Sequence, residues 1–523
     1  MSTSSRITRA ERRWLLLASA IVLTLASLPY LVCVWAAGSE LTFSGLLMNP
    51  ADGFAYFAKM RLGLAGDWLY RMPFTLEESH GAFMFSYYLA LGHLARIVDL
   101  PLPLVFHLAR LVNGFLMLWL SYQLIARVTE DIVLRRLMWW ILAIGSGFGW
   151  LVMKFGLGYS YYYQIAIVSS STFYALLNSV HGLLTMALML MIFIAVLETE
   201  KVPAWRIAVA VLLSLLLGIV NPFVPLMVDM ILGGALLAIW WRDRVFPTSR
   251  FIAVVVAGLC TAPLLIYMLL AIDADPSLRA FAAGNVNLTP SPVGLLLSYG
   301  LLWLLLIPGL RIAWQRRSDW DLLLIAWIVL MLPMAYFPYQ LQLRFLTGWQ
   351  IPLAILAALG LKHLVRSVWL QGLVLAVLAS TSLYLLLHLT LSRGSVSTAL
   401  VHYPLTYLTA EESDVLRWLR ENAPPKAAVL GPQRMGLLIP AFAGQRVVFG
   451  HVYETVDAPR KRQLVEDFFA GRLDQQALLR DLGIDYLVVQ ESDGTAQAVD
   501  VRSLPLRLVL SAGDLSVYRV ERQ

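Results

Sequence analysis

Charge is scarce in this sequence. Only 14% of its 523 residues are Asp, Glu, Lys or Arg, against 59% hydrophobic, with a mean hydropathy of +0.71. Soluble domains carry about a quarter of their residues as charges, so that class is excluded. A nucleic-acid binder goes with it, because no basic patch interleaves with aromatics on a soluble surface. Cysteine is almost missing too. Cys33 and Cys260 lie far apart in apolar runs and read as small buried hydrophobes, which argues against disulfides and thiolate metal sites. There is no Walker loop, HExxH, GxSxG or paired CxxC, no convincing DxD-type metal site, and no internal repeat or low-complexity segment.

Long apolar runs fill the space that charge leaves. Segments of about 20 apolar residues, the length that crosses the hydrocarbon, recur at roughly 14–36, 104–126, 137–153, 176–197, 205–220, 223–241, 251–271, 293–311, 320–338, 351–365 and 368–391. They lack the alternation of a membrane β-barrel. The chain therefore reads as an all-α polytopic membrane protein with about 11–13 transmembrane helices. The net charge of +7 is mostly topology: Lys and Arg gather in short loops, as cytoplasmic loops require. The basic start MSTSSRITRAERR then stays inside, with a retained first span, and the loop 37–82 and the C-terminal tail face outward. The stretch 83–100 conflicts with this placement if it spans. Either it only dips into the membrane or a further span exists.

The composition changes near Arg393. Domains are read as 1–395, membrane-embedded with the external loop 37–82, and 396–523, a small extracytoplasmic α/β domain. In the latter, helix-like EESDVLRWLRENAP, APRKRQLVEDFFAG and QQALLRDLG alternate with strand-like AAVLG, QRVVFG, DYLVVQ, LRLVL and LSVYRV,.

Asp52 is the leading candidate for chemistry. It follows the first span, in NPADGFAYFAKMRLGLAGDW, where a carboxylate is either an N-cap of the next helix or a general base at the membrane surface. Lys59, Arg61 and Arg71 are placed to meet headgroups or a substrate phosphate, and Trp68, Tyr70 and Phe74 fit an aromatic belt. Glu77, Glu78 and His80 form an acidic cluster that suits an acceptor or a metal. His107, Arg110 and Asn113 share one face of a span, where an Arg is by default a functional hypothesis. Asp229, inside another span, reads equally as a polar bridge between helices. GYSYYYQIAIVSSSTFYALLNSVHG, ending in Asn178 and His181, suits a polar cavity for a sugar, and the break at Asn221-Pro222 faces the same side. Arg344, in PYQLQLRFLTGWQIP, suits a phosphate whose lipid tail lies between helices.

The order of these features resembles the GT-C superfamily of membrane glycosyltransferases, which includes the protein O-mannosyltransferases and the bacterial lipid A aminoarabinose transferase. The resemblance rests on the basic tail, one span and Asp52 in an amphipathic external loop. GAFMFSYYLALGHLAR and HLARLVNGFLMLWLSYQLIARV then follow, and later QLQLRFLTGWQIPLAILAALGL with RVVFGHVYETVDAPRKRQ in an external tail. It implies a polyprenyl-phosphate-linked sugar as donor, an extracytoplasmic acceptor of unstated nature, and inverting transfer in a bacterial cytoplasmic membrane. Asp52 would be the base and Arg344 the cation for the leaving phosphate. No organic cofactor is implied, and a divalent metal stays open. Two other classes remain. A flippase of lipid-linked sugars predicts two similar halves, which the sequence does not show. A non-catalytic assembly protein would put the weight on His451 and Glu454 of the tail.

Overall fold

The computed structural model describes residues 7–155, 171–491 and 499–521. Its apolar runs are helical because backbone groups in hydrocarbon must satisfy one another. Helix α1 (Arg9–Ala37), the helix Leu102–Val128, and the segments Ile132–Leu151, Val180–Leu197, Val224–Asp243 and Thr248–Ala274 are long and apolar enough to cross a membrane. Two bent pairs add further candidates: Pro292–Tyr299 with Leu301–Arg316, bent by 84°, and Val368–Leu378 with Ser380–Gly394, bent by 46°. The remaining apolar segments fall on the shorter helices Ala204–Val220, Asp319–Met334 and Gln350–Leu364. The protein is a multi-pass membrane protein.

The stretch 83–100 is a helix of only 13 residues, Ser86–Val98. At 1.5 Å per residue it reaches about 20 Å, short of the ~30 Å hydrocarbon core. As a helix it is therefore too short to count as a span.

The chain divides into two compact units. The first comprises Met1–Pro29, His107–Ile266 and Val286–Leu391. Its helices are held by small residues and polar clasps. Gly309 and Gly360 let Leu301–Arg316 and Gln350–Leu364 cross backbone against backbone. Glu11 pairs with Arg135 at 2.8 Å and accepts from the Tyr122 hydroxyl at 2.8 Å. The half-buried Asp229 carboxylate adjoins Gly258 of the next helix.

The second unit comprises Tyr30–Phe106, Tyr267–Asn285 and Ser392–Gln523, so the loop after the first span clusters with the C-terminal region. Strand β1 (Leu41–Phe43) pairs antiparallel with β2 (Tyr407–Thr409) in the register Thr42 to Leu408. Beyond β2 come β3 (Ala428–Leu430), β4 (Arg446–Val447), β5 (Tyr486–Gln490), β6 (Leu506–Ala512) and β7 (Leu515–Val520), in the sheet order β4-β3-β5-β7-β6. The β3 pairings are parallel, and β7 runs antiparallel to both its neighbours. β3 and β5 are short continuous apolar runs because they lie in the buried middle of the domain, packed with Phe449, Phe468 and Leu479. The helices Ala410–Asn422, Ala458–Phe469 and Gln475–Asp481 stand where the tail's amphipathic segments place them.

Within the loop, helix α2 (Pro50–Ala65) and helix α3 (Ser86–Val98) cross at a glycine pair. A Cβ on Gly63 would stand on the Leu89 carbonyl, and one on Gly92 on the Met60 carbonyl.

Candidate active site

Asp52 sits in the first turn of α2. Asn49, in the left-handed region at φ 46°, occupies the N-cap position and Pro50 opens the helix. The N-cap alternative for Asp52 is thereby corrected: a left-handed Asn followed by proline starts the helix three residues earlier. The first turn still favours a carboxylate, because unpaired N–H groups give the helix start a partial positive charge. The Asp52 side chain is half exposed, and its Oδ1 lies 3.2 Å from Nε2 of His451, whose side chain is only 5% exposed.

Hydrogen bonding settles the tautomer of that histidine. The Tyr453 backbone N–H donates to His451 Nδ1 at 3.2 Å, so Nδ1 is the acceptor and the ring proton sits on Nε2, aimed at Asp52. Asp52 Oδ2 has no partner among the described residues. The arrangement is a carboxylate oriented through one oxygen and open at the other, which is the geometry a general base requires.

Seven residues along α2, Lys59 takes another role than headgroup binding. It is 1% exposed and ion-paired with Glu454, 5% exposed. The Tyr70 hydroxyl donates to the other Glu454 oxygen at 2.8 Å. The Phe85 ring lies 4.6 Å from the ammonium and that of Tyr70 5.2 Å. Burial, then the adjacent Glu454 charge, hold the Tyr70 phenol well above its ordinary value. Tyr70 and Phe74 are fully buried, so neither joins an aromatic belt, whereas Trp68 is exposed and stacks on His93 at 3.9 Å.

The acidic cluster is dispersed. Glu77 pairs with Lys461 and accepts from Thr75. His80 donates its backbone N–H to Asp275 at 3.0 Å, as Ser79 does its hydroxyl at 2.7 Å. Glu78 is exposed. Among the described residues no three His, Cys, Asp or Glu side chains converge as a metal would require. Arg61, Arg71, Glu77, Glu78 and His80 do share one feature: they line a single cleft.

The remaining candidates belong to the first unit. Arg110 is 2% exposed and donates to the Leu176 carbonyl at 2.6 Å and to Ser27 Oγ at 3.1 Å, the geometry of a clasp between helices. Its neighbour Asn113 donates to the Val180 carbonyl at 3.1 Å. Asn178 ends the helix Thr172–Asn178, and His181 lies in the first turn of Val180–Leu197. The aromatic part of their segment, 156–170, lies outside the described residues. Arg344 is half-buried in the turn Gln342–Leu346, before the helix Gln350–Leu364.

Sequence reasoning singled out His451 and Glu454 only for the assembly reading. Their signal is real but weak. GHVYETVD sets two polar residues three apart after a buried strand, yet nothing local says that their partners lie in the first loop.

No family model matches the chain, and no curated protein sequence does. Solved structures match over almost its whole length. ArnT from Cupriavidus metallidurans, bound to undecaprenyl phosphate, gives a TM-score of 0.56 at 13% identity, covering 96% of this chain and 98% of that one. Arabinofuranosyltransferase AftD from Mycobacteria gives 0.54 at 15%, covering 99% of this chain and 40% of that one. The oligosaccharyltransferase of Archaeoglobus fulgidus, tethered with an acceptor peptide containing the NVT sequon, gives 0.51 at 13%, covering 97% and 74%. At these identities the likeness is one of fold.

Proposed function

We propose, from the GT-C fold that this chain shares with those three membrane glycosyltransferases, that it is an inverting glycosyltransferase. It moves a sugar from a polyprenyl-phosphate-linked donor to an acceptor hydroxyl outside the cytoplasmic membrane of a bacterium. The observation that carries the reading is Asp52, held through Oδ1 by His451 and open at Oδ2. The acceptor hydroxyl gives its proton to Asp52 as its oxygen bonds to the anomeric carbon. The bond from that carbon to the phosphate oxygen breaks, and its electron pair leaves with the polyprenyl phosphate. One displacement inverts the anomeric centre and needs one base, where retaining enzymes need a carboxylate pair. Arg344 is the residue we assign to the lipid phosphate, because a guanidinium matches phosphate oxygens two at a time.

The test is transfer from radiolabelled polyprenyl-phosphate sugars to envelope acceptors by purified protein in detergent. Asp52→Asn is expected to cost about 10²–10⁴-fold in rate with the fold intact. Equal transfer by the variant removes Asp52 from the mechanism, and no transfer from any donor by folded wild type removes the enzyme class.

A further inference from the structure

The second unit contains a cleft of about 590 Å³ that the transfer step does not use. It is lined by the C-terminal half of α2. Arg61, on its wall, stands about 14 Å along the helix axis from Asp52. Its Lys and Arg side chains come from five segments: Arg61 from α2, Arg71 from the chain that follows it, Arg420 from the end of Ala410–Asn422, Lys426 from the turn before β3, and Arg446 from β4.

These five cations outnumber the three acids of the lining, Asp67, Glu77 and Glu78. Among the described residues Arg61, Lys426 and Arg446 have no acidic partner, and Arg420 has only its exposed neighbour Glu421 at 3.5 Å. Of those acids, Asp67 pairs with Arg71 of the same lining and Glu77 with Lys461, which leaves Glu78. Arg61 donates Nε to the Ala441 carbonyl at 3.2 Å, and its stem passes over Gly444, where φ is +103° and a Cβ would collide with it. Its terminal NH₂ groups have no partner among the described residues. Arg446 gives its Nη groups to the carbonyls of Leu76 and Lys426 at 3.1 and 3.4 Å, while its buried Nε has no partner among the described residues. Burial, then the Arg420 charge, push Arg61 down to about 10. Unsatisfied guanidinium donors held together against their own repulsion call for an oxyanion.

We propose that this cleft seats an anionic sugar unit of the acceptor, its carboxylate or phosphate lying between Arg61 and Arg446 with Lys426 and Arg420 at the mouth. The volume is that of a small-ligand site. The exposed His80 ring at the edge offers a hydrogen bond to a sugar hydroxyl. The walls are α2 on one side and, on the other, Pro425 and the helical turn Ile439–Ala443 with Gly444; the eight charged side chains among the lining residues favour a hydrated, anionic sugar over a lipid tail. The acceptor role rests on the glycosyltransferase reading; anion binding does not.

The experiment measures binding of three probes to the purified full-length protein in detergent: trigalacturonate, glucose 6-phosphate and neutral maltotriose. At least one anionic probe is expected to bind ten-fold or more tighter than maltotriose, and to weaken with salt. Arg61→Gln is expected to cost ten-fold or more in its affinity. The exposed-site pair Arg420→Gln/Lys426→Gln, which carries little folding risk, is expected to cost several-fold. Arg460→Gln, 83% exposed on another helix, leaves binding unchanged. Trigalacturonate alone assigns a carboxylate, and glucose 6-phosphate alone a phosphate. Equal binding of maltotriose, no anion binding by folded protein, or wild-type affinity in both variants overturns the site. If the variants lose binding but keep the wild-type KM for an acidic acceptor, the acceptor role falls. Wild-type transfer by Asp52→Asn removes the Asp52 mechanism and leaves the cleft standing.

Discussion

Nε2 of His451 lies 3.2 Å from Oδ1 of Asp52, a residue 399 positions earlier in the chain. The imidazole is a positioning group: fixed by the Tyr453 N–H behind it, it sets where the open oxygen of Asp52 points. His451→Ala is expected to lower kcat about 10–100-fold, as loss of an orienting partner does, with KM for the lipid donor within two-fold. His451→Gln, which keeps a side-chain N–H donor, recovers part of it. A rise in KM at constant kcat would place His451 in donor binding instead.

Lys59 and Glu454 form a buried pair, and removing one charge strands the other. Glu454→Gln is expected to destabilise the protein by about 3–5 kcal/mol, seen as a lower Tm in detergent. Lys59→Met/Glu454→Gln recovers most of the loss. Equal losses in the single and double variants would show that the Tyr70 contact, and not the ion pair, matters.

Glu77 gives the fold an acid-sensitive contact. Burial pushes its carboxyl up, but the hydrogen bonds from Lys461 and Thr75 outweigh burial and hold it below its ordinary 4.5. A carboxylate depressed in the folded state contributes stability above its unfolded pKa and loses it as pH falls through the folded one. Wild-type Tm is expected to fall more steeply below pH 4.5 than that of Glu77→Gln. Parallel curves would reject the contribution.

The crossing of α2 and α3 depends on Gly63 and Gly92. Gly92→Ala places a methyl on the Met60 carbonyl and is expected to cost about 1–3 kcal/mol by overpacking. Gly233→Ala, where a Cβ meets nothing within 4 Å, serves as the comparison in the same Tm measurement. Equal Tm values would mean that the helices separate at no cost.

The sequence by itself determined what is local. Apolar run length is a property of consecutive residues, so the membrane helices and the strands and helices of the tail were legible in it. Asp52 stood out for the same reason, as a carboxylate just past a span. The stretch 83–100 was ambiguous because its apolar character suits a span, while its length as a helix, 13 residues, emerged only on folding. Only the tertiary structure decided what each charge faces. Lys59 and Arg61 look alike along the chain, yet one is locked onto Glu454 and the other lines an open cleft. His451 and Glu454 carried almost no local signal. Their partners lie nearly four hundred residues away, and no spacing rule links a first loop to a distant domain. That juxtaposition follows from packing the C-terminal sheet domain against α2, a property of the whole unit and of no single segment.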